Sequence, residues 1–237
     1  ERVYPASNGR PRGGPVVTPD DILLLLDKAN ATNVQLIRAD HHPANPLLLM
    51  LADRLGYAIW EEIPLYHYTP ATFGIAMDRG IPQQMLSEMD LRDMNHPSVL
   101  FHGLANESTG GTEREQALAS LHNLDRSIDG TRLTGQAAYG NQPDDRSSGA
   151  LDVAGYTSYF GVFYGPDAAP GTVHALQVAH ATFPKKPIII LEFGRWADKA
   201  SEEAEQRRIL ADTYQAVAPY LDETPNGFVG ATVWWTL

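Results

Sequence analysis

Ionisable residues recur just beyond apolar runs in this sequence. Arg38 and His41 follow one run, Glu61 and Glu62 the next, Asn106 and Glu107 a third, and Glu192 a later one. A single carboxylate past a strand is ordinarily a solvated strand end. Several on consecutive parallel strands converge on one face if the strands close into a barrel, and that face is where such folds gather catalytic side chains. Carboxylates brought together there can move protons or act as nucleophiles. Asp40-His41-His42 does not read as a metal site, because adjacent histidines rarely aim at one ion and no further His–carboxylate spacing supports them. Glu61 and Glu62 point opposite ways by strand alternation, so at most one faces the cleft, and Glu62 is the choice. His96 precedes its strand and reads as structural.

The elements that must position these residues alternate between apolar strands and amphipathic helices, a pattern of parallel βαβ units. Thr18-Pro19-Asp20-Asp21 reads as a helix start, carrying Ile22–Leu26. Strands are expected at Asn33–Ile37, Tyr57–Trp60, Ser98–Leu104, Arg132–Ala138, Val153–Tyr159, Pro187–Leu191 and Phe228–Trp235. Helices are expected at Pro46–Leu55 with Gly56 as its cap, up to Asp93, and at Glu113–Asp125, Val173–Thr182 and Ser201–Leu221. His67–Gly80 and Asn141–Ala150 read as loops. The strand ends at Arg38, Glu61, Asn106, Ala138, Tyr159, Glu192 and Trp235 recur near the roughly 30-residue period of a (β/α)8 TIM barrel. The fold class is therefore α/β, with an open doubly wound sheet as the competing architecture. No Gly-rich phosphate loop follows the early strands, which weakens that competitor.

The 237 residues suit one large core, and no apolar run is long enough to cross a bilayer. A net charge of −11 argues against a nucleic-acid partner, whose backbone requires a basic face. Without cysteine there are no disulfides and no thiolate metal sites, and the redox compartment stays open. The chain opens on Glu1 rather than Met, so a leader would lie outside it and localisation is not legible. Arg2–Tyr4 is the one candidate for a first barrel strand, and no helix follows the last strand. The expectation is a barrel incomplete at one or both ends, with residues 1–237 a catalytic domain cut from a larger enzyme.

Several segments resemble glycoside hydrolase family 2, which holds β-galactosidases, β-glucuronidases and β-mannosidases. Arg38-Ala39-Asp40-His41-His42-Pro43, Leu51–Gly56 and Trp60-Glu61-Glu62 resemble the segments of its second and third barrel strands. Asn95-His96-Pro97-Ser98 leading to Asn106-Glu107 resembles its acid/base segment. Asp152–Gly161 with Tyr159, Lys186–Gly194 with Glu192, and Val233-Trp234 resemble its later strands, in the right order. Departures are His42 where tyrosine is usual and Thr157 where asparagine is frequent. Tyr66-His67-Tyr68 does not reproduce the metal ligands of some β-galactosidases, and the Asn-x-Lys signature of β-glucuronidases is not recognisable.

The resemblance implies a retaining exo-β-glycosidase, β-galactosidase-like, with no cofactor and no catalytic metal. It implies Glu107 as acid/base and Glu192 as nucleophile, the former kept protonated by partial burial and the charge of the latter. It further implies Asn106 on the sugar 2-hydroxyl, Tyr159 and Arg38 beside Glu192, and His41 and Glu62 at the pocket. Trp234, ahead of Trp235, would floor the sugar subsite, while Trp60 and Trp196 pack. β-Sandwich domains of the same polypeptide are expected partners, and an oligomer is compatible. The rivals are an endo-acting β-glucanase or mannanase on a related barrel, and a non-catalytic sugar-binding barrel.

Overall fold

The computed structural model describes residues 2–3, 14–15 and 18–236. Two short strands, β1 (Arg2–Val3) and β2 (Gly14–Pro15), pair antiparallel with each other. The rest is built round one parallel sheet of seven strands that follow chain order: β3 (Leu36–Ala39), β4 (Ala58–Glu62), β5 (Val99–Asn106), β6 (Leu133–Tyr139), β7 (Ala154–Thr157), β8 (Ile188–Phe193) and β9 (Val229–Trp234). A doubly wound sheet reverses its strand order at a switch point. This sheet has no reversal, and β3 and β9 approach within 8 Å between Cα atoms without a shared ladder. The architecture is an incomplete (β/α)8 barrel, seven strands wide and nearly closed.

Helices α1 (Pro19–Ala31), α2 (Pro46–Leu55), α3 (Pro70–Asp78), α4 (Ile81–Asp93), α5 (Thr112–Ile128), α6 (Ala168–Thr182) and α7 (Glu203–Val217) cover the sheet. Their starts and stops follow from local chemistry. The Thr18 side chain accepts from Asp21 N–H and the Asp21 carboxylate accepts from Thr18 N–H, a reciprocal cap at the helix start expected there. Gly56 ends α2 at φ +82°, a left-handed turn that a side chain would strain. On α1 the buried residues Ile22, Leu26 and Ala29 fall at helical spacing and face the sheet.

Three expectations are corrected. Arg2 and Val3 do not form a barrel strand: they pair with β2, and Pro5, which has no N–H, follows them in the sequence; Tyr4 lies outside the described residues. The loop expected over His67–Gly80 contains α3, capped by Thr69, begun by Pro70 and anchored by buried Phe73 and Ala76. The long helix expected over Ser201–Leu221 is α7 flanked by single 3-10 turns, the second holding Pro219.

The barrel interior is filled by Trp60, which is fully buried among Ala137, Val153, Ile189 and Leu191. Two glycines, one on β5 and one on β6, make room for it. A Cβ at Gly103 would lie 2.5 Å from Trp60 Nε1, and one at Gly135 2.4 Å from its Cη2. The indole N–H donates to Glu62 Oε2 at 3.0 Å, so the core plug also sets the first side chain of the mouth above it. Between β3 and β9 runs a cleft of about 390 Å³ lined by Leu26, Leu36, Leu48, Tyr214, Ala231 and Val233. It lies between the two edge strands of the seven-stranded sheet.

Candidate active site

Because all seven strands run the same way, their C-terminal ends present side chains to one mouth. Arg38 comes from β3, Glu62 and Asn106 end β4 and β5, Thr157 ends β7, and Glu192 is next to last in β8. His41, Glu107, Tyr159 and Trp235 stand just beyond β3, β5, β7 and β9.

Arg38 organises the floor. One guanidinium nitrogen, Nη1, donates to Glu192 Oε1 at 2.6 Å and to the Leu191 carbonyl at 3.2 Å. Nη2 donates to Glu62 Oε1 at 3.0 Å and to Asn106 Oδ1 at 2.7 Å, and Nε reaches Glu62 Oε2 at 3.3 Å. Burial works against the charge on Arg38, but Glu62 and Glu192 outweigh it and hold the guanidinium above its ordinary pKa. Burial likewise pushes Glu62 up, and Arg38 and His41 overcome it, leaving that carboxyl below its usual range. The arginine is therefore a permanent cation, and any anion at Glu192 has its counter-charge 2.6 Å away.

The two glutamates sit in different company. Glu192 is 4% exposed and has both oxygens occupied, one by Arg38 and the other by the Tyr159 hydroxyl at 2.8 Å. Burial pushes its carboxyl above the ordinary value, Arg38 pulls it back, and the charge of Glu107 adds to the rise. Tyr159 stays a proton donor, since burial and the Glu192 charge both drive its pKa upward. Glu107 is met by uncharged hydroxyls and a histidine: Thr157 Oγ1 at 2.9 Å, Tyr164 Oη at 3.4 Å and His67 Nε2 at 3.2 Å. No lysine or arginine bonds it among the described residues. It also has φ +42°, a conformation that costs a non-glycine residue about 1–3 kcal/mol and turns its side chain into the cleft. One carboxylate is thus pinned by a fixed cation, and the other meets hydroxyls and a histidine.

Asn106 and His41 complete the floor. Since Arg38 donates to Asn106 Oδ1, the amide NH₂ is the group left facing the cavity. His41 Nδ1 lies 2.5 Å from Glu62 Oε1, and its ring is stacked between Tyr66 and Trp235 at 5.1 and 5.5 Å. The cavity over these groups has a volume of about 380 Å³, holds both Glu107 and Glu192 on its wall, and is rimmed by Tyr66, Tyr139, Phe163, Tyr164, Trp196 and Trp235. Two carboxylates under an aromatic rim suit a polyhydroxylated ring, whose C–H faces pack on aromatic faces and whose hydroxyls need fixed polar partners.

The sequence pattern of glycosyl hydrolases family 2, TIM barrel domain, matches residues 7–221. The chain belongs to that family. Among family relatives, a β-galactosidase of Thermoanaerobacterium thermosulfurigenes is 32% identical over 206 residues, covering 85% of this chain and 26% of the relative. A β-glucuronidase of Streptococcus agalactiae is 27% identical over 228 residues, covering 83% of this chain and 37% of the relative. The fold matches that of a family 2 β-galacturonidase from Eisenbergiella tayi bound to galacturonate, with a TM-score of 0.81 at 20% identity over 96% of this chain and 42% of that one. It also matches a Bacteroides uniformis β-glucuronidase, TM-score 0.78 at 22% identity, over 94% and 28%. This chain spans less than half the length of each of these relatives.

The family 2 barrel brings most of the expected residues together, with three differences. Trp234, the expected sugar floor, turns outward onto Phe193 at 5.3 Å, and Trp235 is the tryptophan on the cavity wall. Glu62, expected at the pocket, is buried beneath the cavity with Arg38, and the two are held by each other. Trp196, expected to pack, is 48% exposed at the rim beside Phe163. Sequence reasoning passed over Tyr139, although it ends β6 and the strand-end rule points to it. It also passed over His67 and Tyr164, which sit in loops where no periodicity marks direction. Thr157 stood out only as a departure from asparagine, yet it is a hydrogen-bond partner of Glu107.

Proposed function

We propose that this chain is the catalytic barrel of a larger retaining exo-β-glycosidase, acting on terminal β-galactosides and working by double displacement. The observation that carries the reading is the unequal pair: Glu192 locked between Arg38 and Tyr159, Glu107 held by hydroxyls, both on one cavity wall. Glu192 attacks the anomeric carbon while Glu107 gives its proton to the departing oxygen, so the glycosidic bond breaks as a glycosyl ester forms. Glu107, now an anion, takes a proton from water as that water attacks the same carbon, releasing Glu192 and a sugar of unchanged configuration. The Asn106 amide donates to the 2-hydroxyl, a hydrogen bond that strengthens as charge develops on the ring.

Two observations favour a neutral sugar over a uronic acid. The cavity wall carries no lysine or arginine among the described residues, whereas a uronate carboxylate calls for a cation. The β-galactosidase relative is also the more similar of the two curated proteins compared above. Further domains of the same polypeptide are proposed from the fraction of each relative that this chain spans.

A panel of nitrophenyl β-glycosides, tested on the polypeptide as it is naturally made, checks both levels. The β-galactoside should be cleaved with the highest kcat/KM, the β-glucuronide at least about tenfold more slowly, and the first sugar seen by NMR should be the β-anomer. A faster glucuronide overturns the sugar, internal cleavage of a polysaccharide overturns the exo reading, and an α-anomer as first product overturns the mechanism.

A further inference from the structure

The outer face of β4 and β5, behind the cavity, holds a second cluster of ionisable groups. Glu61 and His102 are neighbours in the β4–β5 register and both turn away from the barrel interior. Over them lie Asp90 of α4 and Asp125 of α5, and all four residues are at most 1% exposed. His102 Nδ1 is 2.6 Å from Asp125 Oδ2 and 3.4 Å from Asp90 Oδ1, and one ligand atom from each of Asp90, His102 and Asp125 lies within 4.8 Å of the other two.

Fully ionised, this cluster would hold more negative charge than its one imidazole offsets. The neighbouring carboxylates have their own cations: Arg92 Nε donates to Asp93 Oδ1 at 2.8 Å, and Arg132 pairs with Asp129 at 2.6 Å. Three carboxylates, Glu61, Asp90 and Asp125, are left around one imidazole, with Arg92 no nearer than 3.9 Å to Glu61. A buried carboxylate without a partner costs several kcal/mol. Four oxygens accept no hydrogen bond at all: Glu61 Oε1, Asp125 Oδ1 and both oxygens of Asp90. Buried orphans of this kind mark the place of a water or an ion.

We propose that Asp90, His102 and Asp125 bind a divalent first-row cation between β5 and the helices α4 and α5. Protons alone are the competing occupant. A proton on Asp90 would need an acceptor, and neither of its oxygens has a hydrogen-bond partner, whereas an ion beside His102 Nδ1 takes oxygens from both aspartates at once. Two carboxylates with one imidazole suit Mn²⁺ or Zn²⁺ better than Ca²⁺, which takes oxygen ligands throughout. Bound there, the ion would clamp α4 and α5 to the strand that ends in Asn106 and precedes Glu107. This site is independent of the glycosidase reading and can fail without it.

The test uses the untagged polypeptide, stripped with EDTA, desalted, and reloaded separately with ZnCl₂ or MnCl₂. With one of the two metals, one ion per chain should survive a second desalting, and the Tm should rise by about 5 °C or more at saturation. Asp90→Asn and His102→Gln should each abolish the retained ion and the rise in Tm. Should either variant fold poorly, the shift between stripped and reloaded wild type decides. No retained ion and an unmoved Tm with both metals would show that the cluster holds protons only. Full retention in both variants would place the ion elsewhere.

Discussion

Replacing Glu192 with glycine is expected to lower kcat on an activated β-glycoside by about 10⁴-fold or more, the scale on which loss of a residue that does covalent chemistry is felt. The loss should be chemical rather than structural. Arg38 would keep Glu62 at 3.0 Å as a counter-charge, so removing Glu192 does not leave a bare buried cation. The space vacated beside Tyr159 and Arg38 is polar and opens to the cavity, which suits a small anion. Added azide should therefore restore part of the turnover and leave a glycosyl azide of inverted configuration, identified by NMR. If wild-type rates persist, Glu192 does not take part in bond breaking.

The second large effect should separate the two glutamates. Glu107→Ala is expected to slow alkyl β-glycosides by about 10²–10⁴-fold, the range that general acid catalysis supplies. A dinitrophenyl glycoside, whose leaving group needs little protonation, should still form the glycosyl ester at near the normal rate. Azide in this variant should intercept that ester and give a product of retained configuration, opposite in hand to the Glu192→Gly product. The contrast follows from the surroundings already described: hydroxyls and a histidine at Glu107, a fixed guanidinium at Glu192. Equal losses on good and poor leaving groups, measured as a plot of log kcat/KM against leaving-group acidity, would remove Glu107 from the acid role.

Much of this arrangement is legible in the sequence, because a parallel barrel repeats one rule. Apolar runs such as Ile188–Leu191 are buried on both faces and read as strands, and the ionisable residue at each run's end is delivered to the mouth. Glu61 and Glu62 point opposite ways, as strand alternation requires, with Glu62 turned toward Arg38 and Glu61 toward His102. That rule has limits. It fails at Trp234 and Trp235, because the ladder between β8 and β9 is irregular near Ile188 and again before Phe193, and one slipped residue exchanges the two faces. It misses α3, whose Thr69-Pro70 start repeats the Thr18-Pro19 signal but is masked by Gly74 and Gly80. The depth of Arg38 is not a local property: its partners Glu62, Asn106 and Glu192 come from three different strands. Asp90, His102 and Asp125 are likewise joined only by packing, and no short spacing announces them.

The central claim is that Glu192 becomes covalently glycosylated, and a mechanism-based label tests it most directly. A 2-deoxy-2-fluoro β-glycoside with a dinitrophenyl leaving group should form its ester readily and lose it slowly, since the fluorine weakens the hydrogen bonding at C2 that assists release. Digestion and mass spectrometry should then find one sugar on the peptide containing Glu192, with none on that peptide in the Glu192→Gly variant. A sugar attached to another residue, or turnover with inversion and no trapped ester, would contradict the account.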